Sequence, residues 1–259
     1  MTPSDPVETR AKMQQQKVCA VLPTYNNGST LRNVLERVLN FCSDVIVVND
    51  GCTDQTAEIL ASFGNRITVV NYGRNKGKGY ALKQGFKQAL AMGFLFALTL
   101  DTDGQHFPED IPLFVEAMEK HPNALIVGSR NLNQENMPGG NTFANKFSNF
   151  WFKVQTGINL PDTQTGYRLY PLTLMPNLTL VTSRYEAELE ILVFSAWLGT
   201  ELVPIKINVF YPKAEERVTH FRPFWDFFRI SVLNTILCVL AVFFGWPLRL
   251  IRKVRRRHE

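Results

Sequence analysis

From Ile230 to Leu248 the chain carries no Asp, Glu, Lys or Arg, although charged residues flank this run on both sides. Cysteine is also scarce. Cys19, Cys42, Cys52 and Cys238 lie far apart with no C-x-x-C spacing, which excludes a zinc cluster of that type and a disulfide framework. Met1–Lys17 holds no apolar stretch, so the expectation is a polar tail, no secretory leader and a globular part in a reducing, cytosolic compartment. Two phosphate-binding patterns are missing. There is no G-x-x-x-x-G-K-[ST], and Lys76-Gly77-Lys78-Gly79 lacks a third glycine at dinucleotide-fold spacing. These absences exclude a P-loop nucleotidase and a dinucleotide-dependent dehydrogenase. They also leave a nucleotidyltransferase without its glycine-rich motif.

What is present fits one sizeable α/β core with an appendage: 259 residues, 45% hydrophobic and 20% charged. Short apolar runs alternate with amphipathic stretches from Val18 to Gly128. Strands are expected at Val18–Leu22, Val45–Val48, Ile67–Val70, Phe94–Leu100 and Ala124–Gly128. Helices are expected at Leu31–Phe41, Thr53–Phe63, Lys78–Met92 and Pro108–Lys120. Unbroken β-rich runs such as Val45-Ile46-Val47-Val48 indicate strands buried on both faces, hence a doubly wound, mostly parallel sheet. Such sheets bind ligands beyond the carboxyl ends of their strands. Further on, Asn131–Asn141 reads as a loop, Thr142–Gln155 and Tyr185–Leu198 as helices, and Glu201–Phe210 as a strand.

The chemistry-bearing residues sit at those strand ends. Asp101-Thr102-Asp103-Gly104-Gln105-His106 follows the fourth strand, so two carboxylates can approach one hard cation whose other ligands come from a diphosphate. Asp50, after the second strand, is placed to meet a ribose or base, while Thr53 and Asp54 suit helix capping. Pro23-Thr24-Tyr25-Asn26-Asn27 offers an aromatic ring and two amides for a nucleoside. Lys78 lies near the same surface. Arg130 can pair with phosphate oxygens or form a structural ion pair. Glu186, Glu188 and Glu190 read as a solvated helix face, or as the source of a general base for a hydroxyl acceptor.

In their order along the chain, PTYN, VNDG-x-TD, GKG, DTDGQH and GSR resemble the family 2 inverting glycosyltransferases of GT-A-type fold, and among them the dolichyl- and polyprenyl-phosphate sugar synthases. The resemblance runs from about Val18 to Tyr211. It departs where Asn27 and Asn49 replace the acidic residues usual in the family. It implies a GT-A-like domain over residues 18–223 and a metal-dependent hexosyl transfer from a UDP- or GDP-sugar to a lipid-linked acceptor, polyprenyl phosphate. Mg²⁺ or Mn²⁺ would be bound by Asp103 and Gln105. Pro23, Tyr25, Asn27, Asp50, Lys78, Asp101 and Thr102 would face the donor, and Asp103, Arg130 and Asp162 would form the catalytic set. Asp162–Arg168 would be the acceptor-side loop, with Arg168, Arg217, His220 and Arg222 toward the lipid phosphate. Transfer to a hydroxyl of a glycolipid or polymer precursor is the alternative. A non-catalytic nucleotide-sugar binder is the reading from another class, opposed by the intact Asp-x-Asp.

The charge-free run and its basic flanks complete the expectation. The excess of arginine beyond Leu248 suits anionic lipid headgroups at least as well as nucleic acid. Pro247 suggests a break, and a single crossing would send the basic end outward. Residues 224–259 are therefore expected to form interfacial membrane helices or a re-entrant hairpin at the cytoplasmic face of a membrane, such as a bacterial inner membrane. A buried core helix or a homo-oligomer contact are the other uses of such a run.

Overall fold

The computed structural model describes residues 5–130, 139–177, 182–211 and 223–255. Seven strands form one sheet in the order β3-β2-β1-β4-β6-β5-β7. They are β1 (Val18–Thr24), β2 (Val45–Asn49), β3 (Thr68–Asn71), β4 (Phe96–Thr99), β5 (Leu125–Arg130), β6 (Arg168–Pro171) and β7 (Leu202–Ile207). All neighbours are parallel except β6, which runs antiparallel to β4 and β5. The expected doubly wound, mostly parallel sheet is thus present. The short strand β6 starts at Arg168, the last residue of the expected acceptor-side loop.

Alternation along the strands builds two cores. Val18, Ala20, Leu22, Val45, Val47 and Leu98 face the helices α1 (Pro6–Gln15), α2 (Gly28–Phe41) and α5 (Ile111–Lys120). Cys19, Val21, Ile46, Val48 and Ala97 face α4 (Lys78–Ala91) and α7 (Glu186–Leu198). Helix α3 (Thr56–Ser62) links β2 to β3, and α6 (Gly139–Thr156) follows β5. The polar segment expected as a tail is instead helical: α1 buries Met13 and Thr9, and Asp5 caps its N-terminus.

The C-terminal segment departs from the expected hairpin or pair of short helices. Helix α8 (Pro223–Leu240) passes through a π turn, Ala241–Gly245, directly into α9 (Trp246–Arg255). Pro247 falls in the first turn after the π turn, where its missing N–H and fixed φ are tolerated. Among the described residues one helix, Phe228–Arg252, is long and apolar enough to cross a membrane by length and composition. One side of it is nevertheless docked on the domain, with Leu233, Leu237 and Ala241 buried against the α4/α7 core.

Candidate active site

The strand order reverses between β1 and β4, and at such a switch point the loops after the two strands diverge and leave a crevice. A cleft of about 730 Å³ opens there. Pro23, Tyr25 and Asn27 line it from the end of β1, Asp50 from the end of β2, Lys78 from the start of α4, and Asp101, Thr102, Asp103 and Gln105 from the end of β4. The two loops at the switch point are sewn together. Asn27 Nδ2 donates to Thr102 Oγ1 at 3.0 Å, and Thr30 Oγ1 donates to the Thr102 carbonyl at 2.6 Å.

Asp103 is the half-buried second acid of the site. One of its oxygens, Oδ1, accepts the Gln105 N–H at 2.9 Å, and Gly104 takes φ +80° to let that turn close. Burial, followed by the charge of Asp101, pushes the Asp103 carboxyl up to about 6. The nearby Lys78 charge does not offset this raise, and a bound divalent ion would. Asp103 with the Gln105 amide oxygen is a hard-oxygen donor pair suited to Mg²⁺ or Mn²⁺. Among the described residues no group of three or more His, Cys, Asp or Glu could hold a metal ion.

Asp101 has the opposite environment. Lys78 Nζ lies 2.6 Å from its Oδ1 and 3.0 Å from Glu188 Oε2. Burial works against the charged form of Asp101, but the Lys78 ammonium outweighs it and lowers the carboxyl below its usual range. Glycines make room for this triad. A Cβ on Gly166 would fall 2.5 Å from Lys78 Nζ and 2.7 Å from Asp101 Oδ2. His106 accepts the Asp101 N–H on Nδ1 at 3.2 Å, and burial lowers its pKa to about 4. It is therefore a neutral support of the loop.

Asp50 lines the cleft, yet its oxygens already serve a turn. They accept from Lys76 N at 2.7 Å, Gly77 N at 2.9 Å and Asn75 Nδ2 at 3.0 Å. Its first effect is to shape the Lys76–Gly79 turn that presents Lys78. Gly77, at φ +97°, and Gly79 press that turn against Ser183, Arg184 and Ala187. Sequence reasoning missed Asn75, Arg184 and Tyr185, which also line the cleft. The available signal was the cation at the entrance to α7, facing the GKG turn.

Three expectations are corrected. Asp162 is fully buried and outside the cleft, where it accepts from Arg130 Nε at 2.6 Å, Arg130 Nη2 at 3.0 Å and Asn145 Nδ2 at 2.6 Å. Arg130 and Asp162 thus form an ion pair with each other, the alternative expected for Arg130. Arg168 is also fully buried and donates to the Glu188 and Thr163 carbonyls, so it does not reach toward an acceptor. Glu186, Glu188 and Glu190 are buried too, not solvated, and none lines the cleft. Arg217, His220 and Arg222 lie outside the described residues.

This geometry has relatives. The glucosyl-3-phosphoglycerate synthase of Mycobacterium tuberculosis, solved with Mn²⁺, UDP and phosphoglyceric acid, superposes with a TM-score of 0.65 over 91% of this chain and 82% of its own, at 17% identity. The mannosyl-3-phosphoglycerate synthase of Rubrobacter xylanophilus gives 0.63 over 98% and 80%, at 20% identity. These likenesses establish the GT-A-type fold. In sequence, a UDP-N-acetylglucosamine–dolichyl-phosphate N-acetylglucosaminyltransferase of Methanococcus voltae is 29% identical over 75% of this chain and 86% of its own. An undecaprenyl-phosphate mannosyltransferase of Micrococcus luteus is 28% identical over 74% and 83%. The glycosyl transferase family 2 model matches residues 19–174, a span that contains β1 to β6 and every acid of the cleft. The chain is a glycosyltransferase and belongs to glycosyl transferase family 2.

Proposed function

We propose that this glycosyltransferase moves a sugar from a UDP- or GDP-sugar to polyprenyl phosphate held in a membrane, at its cytoplasmic face, with inversion at the anomeric carbon. The observation that carries the reading is the pairing of Asp101 and Asp103 at the switch-point cleft: one carboxylate ion-paired with Lys78, the other raised by burial and by its neighbour's charge. Asp103 and Gln105 would hold Mg²⁺ or Mn²⁺. The ion, when bound, neutralises charge on the departing nucleoside diphosphate. Pro23 and Tyr25 supply a wall for the nucleoside, and Asp50 keeps the 75–77 turn in the shape that offers Lys78 to the site. Lys78 fixes Asp101 as an ionised acceptor for donor hydroxyls.

A phosphate acceptor is already anionic and needs no general base. None of the three α7 glutamates lines the cleft, and Glu188 is already paired with Lys78, which supports that choice over a hydroxyl acceptor, which would have to lose a proton. The membrane part rests on the apolar helix Phe228–Arg252 and on the relatives named for dolichyl- and undecaprenyl-phosphate. The test is incubation of the purified protein with UDP- and GDP-sugars, Mn²⁺ or Mg²⁺, and vesicles containing polyprenyl phosphate, with the lipid product identified by mass. A glycosyl-phospho-prenol that disappears on chelation is expected. Sugar transfer to a hydroxyl lipid alone, or full turnover in excess chelator, would overturn the reading.

A further inference from the structure

The last carbonyls of an α-helix have no partner inside the helix, so their satisfaction is a matter of tertiary structure. Helix α6 ends at Thr156, and each of its final four carbonyls is satisfied. Lys153 O accepts from Gly157 N at 2.7 Å and Gln155 O from Trp197 Nε1 at 3.0 Å. Val154 O accepts from Trp246 Nε1 at 3.2 Å and Thr156 O from Arg249 Nη1 at 3.3 Å. Helix α7 is treated the same way, with Arg252 Nη2 donating to Trp197 O. Three donors therefore come from α9, spaced so that Trp246, Arg249 and Arg252 fall on one helical face.

Glycine makes each contact feasible. A Cβ on Gly157 would lie 1.5 Å from Arg249 Nη1, one on Gly199 2.6 Å from Arg252 Nη1, and one on Gly245 2.3 Å from Trp197 Nε1. Gly157 and Gly199 also take positive φ, as helix C-terminal glycines do, and the cations complement the negative ends of the two dipoles. The opposite side of the same stretch is bare and apolar: Phe243, Phe244, Leu250 and Ile251 are each more than half exposed.

We propose that Arg249 and Arg252 are positioning residues that latch the apolar helix rigidly across the ends of α6 and α7, and that they are not lipid-headgroup contacts. The inference rests on the membrane-held acceptor proposed above. Its consequence is that the catalytic cleft is held at a fixed height and tilt over the bilayer by the domain's own helix ends. The charges left for anionic lipid are those nearer the C-terminus of the chain.

The test compares wild type with Arg249→Met/Arg252→Met and with Gly157→Ala, which evicts Arg249 while keeping every charge. Three readouts are taken: binding to phosphatidylcholine/phosphatidylglycerol vesicles, amide exchange at the ends of α6 and α7, and transfer to polyprenyl phosphate in vesicles against a short soluble prenyl phosphate. The latch predicts unchanged vesicle binding, faster exchange, near wild-type transfer to the soluble acceptor, and roughly tenfold lower transfer to the embedded one, in both variants. Vesicle binding that drops about fivefold per arginine in the double variant, with exchange unaffected and Gly157→Ala behaving as wild type, would overturn it. If the proposed acceptor is wrong, wild type itself yields no glycosyl-phospho-prenol, while vesicle binding and exchange still judge the latch.

Discussion

Gly166→Ala isolates the triad at the centre of the site. Gly166 is not among the residues with positive φ, so space around the new methyl decides the outcome. That methyl would meet Lys78 Nζ at 2.5 Å, Asp101 Oδ2 at 2.7 Å and Glu188 Oε1 at 3.1 Å, all inside van der Waals contact. A lysine tip can usually swing away. Here it is pinned between two carboxylates at 2.6 and 3.0 Å, and the backbone on either side of it is wedged at Gly77 and Gly79. Overpacking of this kind costs about 1–3 kcal/mol, and a strained charge-assisted hydrogen bond adds roughly 1.5–3 kcal/mol. We expect about 2.5–6 kcal/mol lost in urea unfolding, together with weaker donor binding in calorimetry, because Asp101 is released from its cation. In a Lys78→Met background the same substitution should cost less than half as much, since the colliding ammonium is gone. A cost below about 0.5 kcal/mol in wild type, or an equal cost in both backgrounds, would refute the clamped triad.

Asp103→Asn should leave the melting curve intact and lower transfer by about a hundred- to thousandfold, measured in a metal titration; wild-type turnover would remove Asp103 from the site. Because the metal-free Asp103 carboxyl is pushed up to about 6 and a cation must displace its proton, Mn²⁺ affinity with UDP should be full above that pH and fall by about tenfold per unit below it; calorimetry that gives the same affinity at acid and neutral pH would contradict this. Asp162→Asn should destabilise the fold by roughly 3–5 kcal/mol through the stranded Arg130 guanidinium, read as a lowered Tm with donor affinity per folded molecule preserved. Truncation after Phe224 should give an aggregating protein, because it strips Leu237 and Ala241 from the core and uncaps α6; a folded, monomeric product would show the helix to be dispensable.

Much of this was legible because burial and chemistry used residues of the expected kind. The runs at β1, β2, β4 and β5 are apolar on both faces, and each polar motif begins where such a run stops, so the cleft assembled from local signals. Strand β6 is four residues long and contains a fully buried arginine, which reads as loop. Glu188 and Glu190 look like surface residues until Lys78, far away in sequence, and Thr182, in the segment before α7, supply their partners. Arg130 and Asp162 are separated by 32 residues and each suggests catalysis; only their bidentate contact shows that they serve each other. In the C-terminal segment Pro247 signals a break, but the π turn before it absorbs the mismatch and the helix continues.

The antiparallel strand β6 also bears on how the chain is made. Strands β1 to β4 form one contiguous half-sheet encoded by residues 18–99, so that half can pair as it emerges from the ribosome. The outer edge of β4 then stays open until residues 168–171 arrive to cover it, and β5 must wait for the same strand and for β7.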